Sequence, residues 1–260
     1  MPCVALPGLH ARQYIEPMQG VGHEGLASRW RAGLPGACEV CGSWSRGGLC
    51  GACGEHFASR GHRCSRCALP LATGLDACTD CVREPPPFER CLCVADYGFP
   101  WQGLIARFKY GQAPELAALL AAALRASAAR DEAPRPQAFV ALPLSPRRLA
   151  ERGYDQAWEL ARQLGRQHGL PAHARALERR FDAPPQARSS RAQRMRNLQG
   201  AFAVPARAQR LVEGRHLALV DDVMTTGASA REAARALRAA GAGRVDLWVV
   251  ARTPAPHEHG

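Results

Sequence analysis

Lysine is almost missing from this 260-residue sequence: among its 34 Lys and Arg side chains, Lys109 is the lone lysine. Aromatic residues are sparse at 6%, and between Asp182 and Ala201 there are none. That arginine-rich stretch therefore lacks the stacking platform typical of single-strand readers. No segment approaches the roughly 18–20 uninterrupted apolar residues of a membrane helix. Met1 to Gly33 lacks the basic start and apolar run of an export signal, so a cytoplasmic protein is expected. No Gly-x4-Gly-Lys-Ser/Thr occurs, which excludes a Walker-type phosphate loop.

What is present points to a packed protein with an anionic partner. Hydrophobic residues make up 47%, enough for a real core. The length suits one well-packed domain with a small appendage. With 23 Asp and Glu, the formal net charge is +11. Such an excess suits phosphorylated ligands or nucleic acid. Codon bias that inflates Arg, Ala, Gly and Pro together gives the same excess, so charge alone decides nothing.

Cysteine is concentrated rather than spread. Of 11 cysteines, eight form four Cys-x-x-Cys pairs: Cys38/Cys41, Cys50/Cys53, Cys64/Cys67 and Cys78/Cys81. In a reducing compartment this reads as metal binding rather than disulfides. Four thiolates suit tetrahedral zinc and leave no open position for catalysis, so the metal is expected to be structural. The two halves repeat each other, with sequential pairing preferred and crossed pairing left open. Cys91 and Cys93 read as small hydrophobes in a strand.

The expected organisation is a leader over 1–33, a double zinc ribbon over 34–86, a larger domain over 87–253 and a tail over 254–260. Glu84-Pro85-Pro86-Pro87 reads as a stiff linker, because consecutive prolines join neither a helix nor a central strand. Beyond it, Leu92–Tyr97, Phe139–Leu142, Leu217–Val220 and Val245–Ala251 read as strands. Trp101–Tyr110, Glu115–Ala129 and Asp155–His168 read as helices, as does the stripe Ala230, Ala233, Ala234, Leu237 and Ala240, which stops at Gly241. Alternating elements of this length imply an α/β fold, a mostly parallel sheet flanked by helices.

One strand ends in two carboxylates and opens into a helix: Leu219-Val220-Asp221-Asp222-Val223-Met224-Thr225-Thr226-Gly227-Ala228-Ser229. The helix start and the amides of Thr225 to Ala228 can cradle a phosphate. Gly227 allows close backbone approach, and Thr225, Thr226 and Ser229 add hydroxyls. Asp221 and Asp222 can accept from two ribose hydroxyls. A plain strand–helix connection, or a metal-binding carboxylate pair, would use the same residues.

This stretch resembles the phosphoribosyl pyrophosphate signature of type I phosphoribosyltransferases. Four further stretches resemble one branch of them, the ComF family of competence-associated proteins. These are the doubled Cys-x-x-Cys ribbon, Ile105–Gly111, Leu142–Arg148 running on to Glu151–Gln156, and Pro184-Pro185-Gln186 through Asn197 to Phe202. The resemblance spans about Cys38 to Arg252.

It implies a phosphoribosyl pyrophosphate site formed by Val220, Asp221, Asp222, Met224, Thr225, Thr226, Gly227, Ala228 and Ser229. Arg147, Arg148 and Arg152 become candidate pyrophosphate partners, with Lys109 close to phosphate. Leu177–Gly200 becomes a loop that closes over the reacting centre. If the protein turns over, Asp221 and Asp222 are its catalytic residues, the reaction is pentosyl transfer, and Mg²⁺ comes with the ligand. The resemblance also implies a role in uptake or processing of single-stranded DNA, with competence proteins as partners. A non-catalytic assembly module, or a regulator sensing phosphoribosyl pyrophosphate, uses the same residues. Tyr154-Asp155 and Ala183 depart from the family pattern, and Asp155 is structural if it caps the helix that follows it.

Overall fold

The structure is a computed structural model that describes residues 36–59, 61–131, 133–181 and 197–254. The leader, the arginines from 188 to 196, Ala183 and residues 255–260 lie outside the described residues. The chain divides into two compact units, Met1–His56 and Phe57–Gly260. The second cysteine block and the Glu84–Pro87 segment therefore share a unit with the sheet.

In the first unit, β1 (Gly36–Ala37) pairs antiparallel with β2 (Trp44–Ser45), and α1 (Gly51–Phe57) begins directly after Cys50. The second unit starts with the same construction, in which α2 (Thr79–Arg83) begins directly after Cys78. A five-stranded sheet follows. Its strands are β3 (Arg90–Asp96), β4 (Ala138–Ala141), β5 (Ala172–His173), β8 (His216–Met224) and β9 (Arg244–Arg252). A separate antiparallel pair, β6 (Glu178–Arg179) with β7 (Phe202–Ala203), flanks the arginine-rich stretch.

The spatial order is β3-β9-β8-β4-β5, and every pairing in this sheet is parallel. The strand sequences explain this. All four residues of β4 are buried, as are eight of the nine in β9. Runs that are apolar on both sides need cover on both faces.

The helices supply that cover. They are α3 (Trp101–Tyr110), α4 (Leu116–Ala129), α5 (Pro146–Arg152), α6 (Gln156–His168), α7 (Gln209–Val212) and α8 (Ala228–Ala239). On α6, Ala157, Leu160, Ala161 and Leu164 are buried; on α8, Ala230, Ala233, Ala234 and Leu237 are. Helices α4 and α6 pack on each other and on the sheet. The β4→α6→β5 and β8→α8→β9 connections run in opposite directions across the sheet. Right-handed crossovers then place α6 and α8 on opposite faces.

One helix is not legible as such in the sequence. No helix is expected between the strand that ends at Leu142 and the helix that starts at Asp155, yet Pro146–Arg152 is helical. Ser145 caps it, its Oγ accepting from the Arg148 amide at 3.3 Å, with Pro146 in the first turn and Gly153 left-handed at φ 79°.

Because the connections leave the parallel strands β4 and β8 in opposite directions, a crevice opens at their carboxyl ends. Open α/β sheets bind ligands at this place. Two connections border it: Leu142–Ser145 leaving β4, and Thr225–Gly227 leaving β8.

Candidate functional site

The β8–α8 connection has the geometry of an anion cradle. Gly227 caps α8 at φ 75°, where L side chains are strained. A Cβ there would also lie 2.5 Å from the Met224 Cε. The Ala228 amide reaches the Thr226 Oγ1 at 3.4 Å, so the turn is held in part by its own hydroxyl. Thr225 is exposed and Ser229 half-buried, at the open end of the helix dipole.

Behind the cradle the two aspartates differ. Asp222 is 5% exposed and forms an ion pair with the Lys109 Nζ at 2.9 Å. The lone lysine of the chain thus comes from the end of α3 to the carboxylate pair. Asp221 keeps some solvent contact and accepts from the Asp222 amide at 2.8 Å. Desolvation, then the neighbouring Asp222 charge, pushes the Asp221 carboxyl up to about 8, with Lys109 opposing.

Asp155 is a cap. Its Oδ1 accepts from the Trp158 amide at 3.0 Å, starting α6, and its Oδ2 accepts from the Leu144 amide at 3.4 Å. The departure from the family pattern therefore ties the β4 connection to α6. Burial raises the Asp155 carboxyl as well. Tyr154 donates to the Phe108 carbonyl, one residue before Lys109.

The three candidate arginines separate. Arg152 donates to the Gln156 Oε1 at 2.8 Å and lies 5.2 Å over the Tyr110 ring, which orients it toward the end of α3. Arg147 and Arg148 lie on the exposed side of α5, where Arg147 pairs with Glu151 at 2.8 Å. The histidines a sequence reader would try as bases are elsewhere. His168 ends α6, and His173 sits on β5 at the edge of the sheet.

Sequence reasoning gave no role to Arg252, the last residue of β9 and 6% exposed. Its Nη1 donates to the Met224 carbonyl at 3.1 Å and the Thr225 carbonyl at 2.5 Å, both in the cradle. Its Nε donates to the Cys67 carbonyl at 3.0 Å. One guanidinium thus fastens a cysteine turn to the phosphate turn, across 185 positions in sequence.

The cysteines gather sequentially. Cys38, Cys41, Cys50 and Cys53 form one cluster, and Cys64, Cys67, Cys78 and Cys81 another, with sulfurs within 4.8 Å of one another in each. A Zn–S length of about 2.3 Å puts tetrahedral sulfurs about 3.8 Å apart, so four thiols at this spacing fit zinc. The construction repeats down to single contacts. The Cys50 amide lies 3.4 Å from the Cys38 Sγ, and the Cys78 amide 3.3 Å from the Cys64 Sγ. Crowding splits the acidities: a hydrogen bond from Cys81 draws Cys67 down to about 5, while Cys81 is pushed up.

The phosphoribosyl transferase domain family matches residues 149–259, which include the cradle, Asp155 and Arg252. The DNA utilization protein YhgH of Salmonella typhi is 33% identical over 227 residues, spanning 85% of this chain and 98% of that protein. Competence protein F of Haemophilus influenzae is 31% identical over 212 residues, spanning 80% and 92%. The chain belongs to the ComF family. Both cysteine clusters and the parallel sheet lie within the stretch of chain described, so this ComF-family protein joins a phosphoribosyltransferase-like fold to cysteine clusters that fit zinc ribbons. Glutamine phosphoribosylpyrophosphate amidotransferase of B. subtilis, complexed with ADP and GMP, aligns over 54% of this chain and 26% of its own at 20% identity. The TM-score of that alignment is 0.34. No helix among the described residues is long and apolar enough to cross a membrane.

Proposed function

We propose that this ComF-family protein binds phosphoribosyl pyrophosphate, or a related 5-phosphoribosyl group, in the β8–α8 cradle, and serves DNA uptake or the handling of incoming single-stranded DNA in the cytoplasm. The observation that carries the reading is the juxtaposition of Asp221, Asp222 and Lys109 with the left-handed Gly227 turn, at the switch point of the sheet. The amides of Thr225 to Ala228 and the hydroxyls of Thr225, Thr226 and Ser229 take the 5-phosphate. Asp221 and Asp222 take the ribose hydroxyls, framed by Val220 and Met224. Arg152 faces the pyrophosphate, with Arg147 and Arg148 on the helix beside it.

Mg²⁺ supplies charge neutralisation of the pyrophosphate. Among the described residues only the cysteines form a ready-made cluster of metal donors, which suits a Mg²⁺ carried in on the ligand's own phosphates. Zinc fills both cysteine clusters and holds their turns. The DNA role rests on the names of the YhgH and competence relatives and on the net charge of +11.

Binding is better supported than turnover. The buried Asp222–Lys109 pair supplies recognition, whereas neither His168 nor His173 comes from an element bordering the crevice. If turnover occurs, it is transfer of the phosphoribosyl group to a nucleophile with loss of pyrophosphate, favoured by the Asp222 carboxylate near the developing positive charge and by Asp221 once it has ionised. A sensing or assembly module uses the same cradle without that step. Pyrophosphate release across a panel of bases, beside single-strand binding over a salt series, separates the readings. Release lost in Asp222→Ala, with DNA affinity intact, supports the enzyme. Ligand binding without release, and a steep salt slope for DNA, supports the module. No binding of phosphoribosyl pyrophosphate by the zinc-loaded protein overturns both.

A further inference from the structure

The far end of the sheet carries a cavity remote from the cradle. It measures about 250 Å³ and opens where β3, β4 and β9 begin, at the end of the parallel sheet opposite the cradle. The last turns of α4 and α6 cover it. Trp248 and His168 line it, their rings edge to face at 5.7 Å, and the buried Phe139 lies 5.3 Å from Trp248. Arg125 and Arg135 line it from exposed positions, and neither has an ion pair among the described residues. The carboxylates nearby are already compensated. Asp131 pairs with Arg90, and Asp246 with His216 at 2.9 Å and Arg244 at 3.0 Å. Among the described residues, the free charge facing the cavity is therefore positive.

Three of the lining residues each carry a buried polar atom that has no hydrogen-bond partner among the described residues: Arg90 Nε, His168 Nε2 and Gln167 Oε1. Protein interiors rarely leave such atoms unpaired, and three around one cavity call for a ligand. Their chemistry restricts it. Arg90 Nε can only donate. Gln167 Oε1 can only accept, since its Nε2 is engaged with the Ala118 carbonyl at 3.2 Å. Burial, with Arg125 and Arg135 nearby, lowers the His168 pKa and keeps the ring neutral, able to donate or accept. Inorganic phosphate, which still carries an O–H at neutral pH, could pair with one such atom but has no flat surface to lay on the aromatic rings. A nucleobase edge presents donors and acceptors together and has a face for those rings.

We propose that this cavity binds a nucleoside monophosphate, its base against Trp248 and His168 and its phosphate held by Arg125 and Arg135 at the mouth. The nucleotide is either free in solution or the terminal residue of a single strand. The site is independent of the phosphoribosyl reading of the cradle.

The test is calorimetric titration of the zinc-loaded full chain with ribo- and deoxyribonucleoside monophosphates, then with a short 5′-phosphorylated oligonucleotide, with inorganic phosphate as control. A mononucleotide should bind saturably, one per chain. Arg125→Ala/Arg135→Ala should weaken it about ten-fold or more, the scale of losing charge-assisted hydrogen bonds. Both side chains are exposed, so the variant keeps its fold, and its affinity for phosphoribosyl pyrophosphate should stay at the wild-type value. Asp222→Ala should leave mononucleotide binding unchanged. An oligonucleotide that binds tighter than the mononucleotide and shares its dependence on Arg125 and Arg135 identifies a strand end as the source; equal affinity identifies the free nucleotide. The proposal is overturned if no nucleotide binds saturably, if binding survives in Arg125→Ala/Arg135→Ala but disappears in Asp222→Ala, or if inorganic phosphate competes as well as the nucleotide does.

Discussion

The two cysteine clusters are one construction in two settings. Each uses a turn, a spacer and a helix that starts after the third cysteine, and each closes with an amide on the first thiol. Cys50 and its counterpart Cys78 are both half-buried, and in the first cluster Cys38 and Cys53 are buried but Cys41 is exposed. In the second, Cys64, Cys67 and Cys81 are all buried, and the turn is bonded into the sheet. The Cys91 amide donates to the Ser65 carbonyl at 2.9 Å, Arg63 pairs with Asp96 at 3.0 Å, and Arg252 joins Cys67 to the cradle. Sequence repetition here does not mean equal work. The first cluster organises its own small unit, while the second is positioned to support the ligand turn.

The largest effect expected from that difference is on stability. Cys67→Ser and Cys41→Ser should each reduce bound zinc from two per chain to one by elemental analysis. Only Cys67→Ser should lower the melting temperature of the sheet unit, by roughly 10 °C, on a scale of about 2–4 °C per kcal/mol for a unit this size. Equal losses in the two variants would break the comparison.

Arg252→Met comes next. It keeps the length of the side chain but leaves the Met224, Thr225 and Cys67 carbonyls without their donor. Affinity for phosphoribosyl pyrophosphate should fall about ten-fold, at a cost of roughly 1–3 kcal/mol, with zinc content unchanged at two. An unchanged affinity would show that the second cluster has no bearing on the cradle.

A smaller effect concerns pH. Because the Asp221 carboxyl is pushed from 3.8 up to about 8, the folded state holds a proton that the unfolded state gives up between those values. Stability therefore falls as pH rises through this window. Asp155, also raised, acts in the same direction. The urea midpoint should drop between pH 5 and 8, and Asp221→Asn should flatten that drop. The smallest effect is expected for Arg147→Ala, whose exposed pair with Glu151 contributes well under about 1 kcal/mol. Its urea midpoint should match the wild type.

Much of this was legible in the sequence, for local reasons. Helices α3, α4, α6 and α8 and the central strands follow their apolar periods, and the cysteine clusters and the Asp221–Ser229 turn follow their spacing. What escaped depends on contacts between distant residues or on weak or competing local signals. Helix α5 is only seven residues long and has no buried face to give an apolar period, so only the Ser145 cap and Pro146 in its first turn mark it. Lys109 has no signal in its own helix that it meets Asp222, 113 positions away by residue number. Arg252 closes a strand as many arginines do, and its role exists only once Cys67 and Thr225 have been brought together. Asp155 had two readings in the sequence, and the amides of Leu144 and Trp158 decide for the cap.

The central claim is that the β8–α8 turn, with its paired aspartates, holds a phosphoribosyl group. Calorimetric titration of the zinc-loaded chain with phosphoribosyl pyrophosphate and Mg²⁺ tests it most directly. Saturable binding at one site per chain is expected, abolished in Asp221→Ala/Asp222→Ala while the far-ultraviolet circular dichroism and zinc content stay as in the wild type. Binding of the same strength in that variant, or none in the wild type, would contradict it.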